Sequence, residues 1–218
     1  MITCQCPAAA ALPSVPNSQC AESFGQIQKI AFQRLKKADG TLNAFTVSTS
    51  DTGSIKKLAS WEVFLSADDG SKIVVSPFVY SPADQGGDAR MSGGGNDDLG
   101  GVPDVLGANP VQFTGNFRAI PQAIAKALKQ MECDANAGNL GVYLFDENGN
   151  IEAIQDETTA TTFRPIPIRA FFVGDKIHGN YDSKDSNPVS WYYAENYSDN
   201  LAIVKPEFNP LVALSNAE

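Results

Sequence analysis

The chain has 218 residues, 43% of them hydrophobic and 19% charged, and its 16 Lys and Arg face 25 Asp and Glu for a net charge of −9. That is a globular composition, long enough to bury a core without disulfide or metal staples. The acidity argues against a protein that holds phosphate backbones by counterion release or adheres to anionic membranes.

No stretch approaches the roughly 18 consecutive apolar residues that span a bilayer. Residues 1–25 read as an extended arm. Its small apolar run, Ala8–Leu12, lacks the basic flank of a secretory signal and is punctuated by Pro7, Pro13 and Pro16. Cys4, Cys6 and Cys20 lie in this arm, and Cys133 stands far from them. Paired C-x-x-C knuckles are absent, so free thiols are the simpler reading, and metal binding by Cys4, Cys6 and Cys20 stays open.

Residues 26–218 are expected to form one domain. QIQKIAFQRL at 26–35 carries two patterns. Ile27, Ile30, Ala31 and Leu35 make a helical stripe, whereas Ile30 and Phe32 suit one face of a strand, the reading preferred here. Residues 42–50 are β-prone. Residues 54–66 read as a short helix with Ile55, Leu58, Trp61 and Leu65 on one face, which makes Trp61 a core anchor. SKIVVSPFVY at 71–80 reads as one strand, its Pro77 marking an edge or a bulge. PVQFTGNF at 110–117 is a further strand. Residues 120–134 form the clearest helix, with Ile124, Ala127, Leu128 and Met131 as its apolar face. Residues 139–154 read as a hairpin turning on Asn148-Gly149. Apolar strands follow at 165–175, 186–194 and 200–206. Trp191, Tyr192 and Tyr193 are adjacent, so they alternate between faces and form no stacking platform for bases. FNPLVAL at 208–214 must dock on something to be ordered.

The run at 84–109 has eight glycines, five aspartates and one arginine. It reads as a long loop, mobile in an isolated subunit and ordered on assembly. Its glycines match no phosphate-cradling motif. Asp146, Asn148, Asn150 and Glu157 fall at calcium-loop positions, but Ile151 occupies the place that requires glycine. A hairpin turn explains the same residues. His178 is the only histidine and sits in a polar stretch. Glu132 with Asp134, and Asp182 with Asp185, are too ordinary to mark a catalytic pair. No nucleophile elbow or H-E-x-x-H is present, so no enzyme, cofactor or metal site is expected.

Four segments carry a resemblance: FGQIQKIAFQRL (24–35), PQAIAKALKQMEC (121–133), NLGVYLFDENG (139–149) and DNLAIVKPEFNPL (199–211). Their wording resembles structural proteins of phages of Bacteroidetes hosts. The element order resembles the tail tube proteins of long-tailed bacteriophages. The resemblance implies an α+β, mainly β fold: a twisted β-sandwich or half-barrel with one flanking amphipathic helix, a second short helix and the long Gly/Asp-rich loop. It also implies a homo-oligomeric virion protein, in stacked hexameric rings, contacting other virion proteins and passing DNA without binding it. The arm 1–25 and the segment 51–109 depart from a minimal tube subunit, and the latter reads as an outer-wall insertion or stacking arm. Asp97, Asp98, Leu99, Val102, Val105 and Leu106 are the expected inter-subunit contacts. Competing classes are a head-tail connector or capsid-decorating protein, a secreted β-sandwich binding carbohydrate through Trp61 or Trp191, and a metal enzyme using the Asp-rich loop.

Overall fold

The structure is a computed structural model that describes residues 23–46, 53–96, 100–156, 158–159 and 161–216. In chain order the elements are β1 (Ile27–Arg34), β2 (Phe45–Thr46), α1 (Leu58–Leu65), β3 (Ile73–Val75), β4 (Val79–Gln85), β5 (Ala89–Ser92), β6 (Asp104–Ala108) and β7 (Gln112–Arg118). There follow α2 (Gln122–Gln130), α3 (Glu132–Asn136), β8 (Leu140–Asp146), β9 (Ile151–Gln155), β10 (Thr162–Arg164), β11 (Ile166–Val173), β12 (Ser186–Tyr193), β13 (Leu201–Val204) and α4 (Pro210–Ala213). The mainly β architecture with few helices is the one expected.

Eleven strands form one antiparallel sheet whose main path runs β2-β10-β9-β8-β11-β12-β7-β4. β8 is its branch point. One edge pairs with β1 from Ile27↔Asp146 to Arg34↔Leu140. The other edge is divided: β11 takes Leu140 to Val142, and β9 takes Leu144 and Phe145. All of β8 is buried. Leu140, Val142 and Leu144 enter one core with Ile30, Phe32, Phe113, Phe171 and Trp191. Tyr143 and Phe145 enter a second core with Ala31, Phe45, Trp61 and Ile73. A strand buried on both faces reads as a continuous apolar run, and LGVYLF is such a run. Gly141 is required there, because a Cβ would stand 2.7 Å from Leu35 and 2.9 Å from Pro165.

The strand reading of 26–35 therefore holds, but its alternation is hidden, since Ala31 and Gln33 are also buried. Gln33 is satisfied by donating to the Ser71 carbonyl (2.7 Å) and accepting from the Tyr143 hydroxyl (3.1 Å). Lys29 is buried too. Its Nζ donates to the carbonyls of Leu211 (3.2 Å) and Leu214 (2.6 Å), which docks α4, and burial lowers its pKa. Trp61 is a core anchor, with Nε1 bonded to the Ile55 carbonyl at 2.9 Å.

Three expectations need correction. Residues 71–80 are two strands, because the Ser76–Phe78 corner containing Pro77 transfers the chain from β1 to β7. The long helix breaks at Met131 into α2 and α3. Its packed side carries Leu128, with Ala125 and Met131 half-buried, while Ile124 is 39% exposed. The β8–β9 connection is longer than a two-residue turn. Gly149 N donates to the Asp146 carbonyl (3.0 Å), and only Gly149 takes a positive φ, +79°.

That connection turns on Asp146, whose side chain is fully buried. Its carboxylate accepts from the backbone N–H groups of Gly25 (3.1 Å), Asn148 (2.9 Å) and Asn150 (2.7 Å), and from the Asn150 side chain (2.7 Å). Burial pushes its pKa up, but the bonds from Asn150, Gly25 and Asn148 outweigh that and hold it below the usual range. With both oxygens taken by N–H donors, Asp146 is a turn hub rather than a calcium ligand.

Asp146→Ala leaves four donors short of a partner and is expected to lower stability by about 3 kcal/mol at pH 7, measured by urea unfolding. The carboxyl is depressed in the folded state. Its contribution is therefore complete above the ordinary carboxylate range and fades as pH falls through the folded value, so the variant should converge on wild type in acid.

Candidate assembly surface

β4 and β7 pair from Val79↔Phe117 to Gln85↔Gln112. Beyond Gln85 the chain does not leave the ladder as a loop. Gly86 and Gly87 take φ of +109° and +80°, and a Cβ at Gly86 would stand 2.4 Å from the Pro110 carbonyl oxygen. Glycine thus permits a tight neck, held by Gly87 N to Asn109 O (3.2 Å) and Asn109 N to Asp88 O (2.8 Å). β5 and β6 then pair as a separate two-stranded ribbon. The predicted long loop is therefore, in its described residues, a β-ribbon standing off the main sheet. Its low apolar content blocked burial but not backbone pairing.

The ribbon has two unlike faces. Ala89 lies opposite Ala108 and Met91 opposite Val105, and these pairs share one face. Arg90 with Gly107 and Ser92 with Asp104 occupy the other. Leu106 is the extra residue of a bulge between them. Every residue of both strands is exposed. Of the predicted contacts, Val102 is 71%, Val105 66% and Leu106 57% exposed, whereas Asp97, Asp98 and Leu99 lie outside the described residues. Met91, 52% exposed, belongs with them; only the strand register reveals it.

At the opposite end of the same ladder is an open groove lined by Tyr80, Arg118, Ile177, His178 and Lys184, with Asp182 also on its wall. The Arg118 guanidinium lies over the Tyr80 ring, 4.5 Å from its centre. His178 is exposed, and its Nδ1 is 3.8 Å from Asp185. Asp185 is held below the usual carboxylate range, first by the Gly179 N–H (2.9 Å), then by His178 and Lys176. This carboxylate braces a loop. It does not orient a buried general base.

Titratable groups gather elsewhere, where Asp84 of β4, Glu152 of β9, Tyr193 of β12 and Tyr197 approach one another. The two tyrosine rings stack at 4.2 Å. Burial raises the Glu152 carboxyl to about 7, with Asp84 and Asp146 adding repulsion. Asp84 is raised by burial against an opposing hydrogen bond from Tyr193. Sequence reasoning missed this group because its members come from three separate segments.

Trp61 and Trp191 are fully buried, so neither presents a face to a sugar. Among the described residues no cluster of three His, Cys, Asp or Glu is placed to hold a metal, and Cys133 is exposed. Cys4, Cys6 and Cys20 lie outside the described residues. Among those residues, no helix is long and apolar enough to cross a membrane.

No protein-family model and no curated protein matches this chain. Among solved structures, a chain of the cryo-EM structure of the anti-feeding prophage baseplate, six-fold symmetrised, is 8% identical, with 88% of this chain and 100% of that chain covered and a TM-score of 0.32. Likeness at that score establishes neither a shared fold nor a shared role.

Glu152 carries a testable consequence. Its folded pKa is raised, so the folded state binds the extra proton, and stability falls as pH rises from the ordinary glutamate value towards 7. Glu152→Gln should flatten that slope and raise stability at pH 8 by about 1 kcal/mol after allowing for solvent screening, read from melting temperatures at pH 5 and pH 8.

Proposed function

We propose that this chain is a non-enzymatic structural subunit of a phage virion, and specifically of a tail tube. The observation that carries this reading is the β5–β6 ribbon. A lone two-stranded ribbon is marginal in water. One that also exposes an apolar face is an unfinished interface. The resemblance at 24–35, 121–133, 139–149 and 199–211 supports placing that interface in a tube of stacked, six-membered rings within the virion.

The electrostatics suit this role. With a net charge of −9 a wall built from these subunits repels phosphate, so DNA slides past without being held. Rings and stacks both require heterologous contacts, in which two different patches of each copy meet. Residues 26–218 would supply the wall and the ribbon the contact between copies.

Negative-stain microscopy of the purified protein at high concentration should show rings or tubes. Monomers or compact dimers alone would overturn the proposal. Replacing residues 89–108 with Asn-Gly should abolish tubes while leaving far-UV circular dichroism and the melting temperature nearly unchanged, because every described residue it removes is solvent-facing except half-buried Gly94.

A further inference from the structure

We infer that the β5–β6 ribbon of one copy docks, head to tail, into the groove at the far end of the β4–β7 ladder of the next copy. This inference rests on the assembly reading above and names the partner surface.

Topology comes first. β4 begins at Val79, next to Tyr80 in the groove, and ends at Gln85, beside the neck. β7 runs back from Gln112 at the neck to Arg118 in the groove. Ribbon and groove are thus the two ends of one ladder, roughly 20 Å apart along the strands. The ribbon starts from the end farther from the groove. Joining one end to the other between copies is a heterologous contact, which repeats from copy to copy and, where it does not close on itself, generates a stack.

Charge comes second. The ribbon and its neck carry Asp88 and Asp104 against Arg90. The groove presents Arg118 and Lys184 against Asp182, with His178 turned to Asp185. Among the described residues neither Arg118 nor Lys184 forms an ion pair. In a chain of net charge −9, a groove with two such cations, Arg118 resting on the Tyr80 ring, is a local excess of positive charge. It complements the acidic ribbon.

Shape and polarity come third. Ile177 is 58% exposed on the groove wall and offers an apolar seat for Met91 and Val105. The wall is already built. Ile177 and Ser186 exchange backbone hydrogen bonds of 2.8 and 3.0 Å. Gly179 N binds Asp185 (2.9 Å), and Asn180 N binds the Ser183 hydroxyl (3.0 Å). A preformed receptor limits the ordering cost of docking to the ribbon itself.

Two variants test the inference. In one, residues 89–108 are replaced by Asn-Gly, which removes the ribbon and keeps the groove. In the other, Arg118→Glu with Lys184→Glu reverses the groove and keeps the ribbon; both positions are exposed, so the fold should survive. Sedimentation velocity and microscopy read the result. Each variant alone should lose stacking, with association weakened at least roughly tenfold. An equimolar mixture should form stacks of two layers and no more, because one partner supplies ribbons and the other grooves. Ile177→Asp should weaken stacking in the same way by spoiling the apolar seat. Wild type forming tubes while the groove variant stacks equally well overturns this inference alone. Wild type forming linear head-to-tail oligomers without rings supports it and overturns the tube reading. Wild type that stays monomeric overturns both.

Discussion

The β1–β8 ladder is the constraint on which the rest of the fold depends. Both strands are buried on both faces, so a single pair of backbones separates two hydrophobic cores. Deleting a side chain on either face leaves a cavity against a rigid central ladder rather than a surface that can relax. The branching of β8 follows from the same position. Pro165 interrupts the β10–β11 run, and the strand pairs with β9 before it and with β8 after it. One continuous segment thereby stitches the two cores together.

A ladder with no solvent face cannot discard its polar groups, and here each has an assigned partner. Lys29 holds α4, Gln33 links Ser71 to Tyr143, and Asp146 organises the turn into β9. These bonds specify which segments may pack on the ladder, because any other neighbour would strand a buried charge or amide. The same economy governs the edges. Asn216 occupies the outer edge of β3, taking the Val75 N–H (2.7 Å) and donating to its carbonyl (2.8 Å). β4 is interrupted by a bulge at Ser81 and Pro82. Both devices discourage edge-to-edge pairing. Association through bare edge strands, a natural expectation for a ring-forming β protein, is discouraged at β3 and β4, while the β5–β6 ribbon is exposed along its whole length.

Much of the fold was legible in the sequence where periodicity and turn chemistry agreed. The 186–194 strand alternates as expected, with Trp191 and Tyr193 buried and Tyr192 exposed. LGVYLF and IEAI flank a turn as predicted. Legibility failed where tertiary position overrode local pattern. Gln33 and Lys29 look like solvent-facing residues until the second core and α4 are known. The helix at 120–134 shows its apolar stripe but not the break at Met131, which lets α3 reach β11. The ribbon hid behind its composition, since eight glycines and five aspartates suppress every apolar signal while leaving the backbone free to pair. Its apolar face exists only through register, with Met91 opposite Val105 across the strands and far from it in sequence. The Asp84–Glu152–Tyr193 cluster is invisible for the same reason.

Net charge and local charge act at different ranges, and that difference bears on how copies of such a chain meet. At physiological salt the screening length is about 8 Å, so the excess negative charge of each copy is felt only near contact. There it penalises contacts that bring acidic side chains of two copies together. An approach that brings Asp88 and Asp104 towards Arg118 and Lys184 removes the penalty and replaces it with attraction. The −9 therefore acts as a filter: it makes the wrong contacts worse more than it makes the right one better. Apolar area on Met91, Val105 and Ile177 then supplies the non-directional part of the binding, which by itself would not distinguish one end of the molecule from the other. Direction comes from the sign change between the two ends of the β4–β7 ladder.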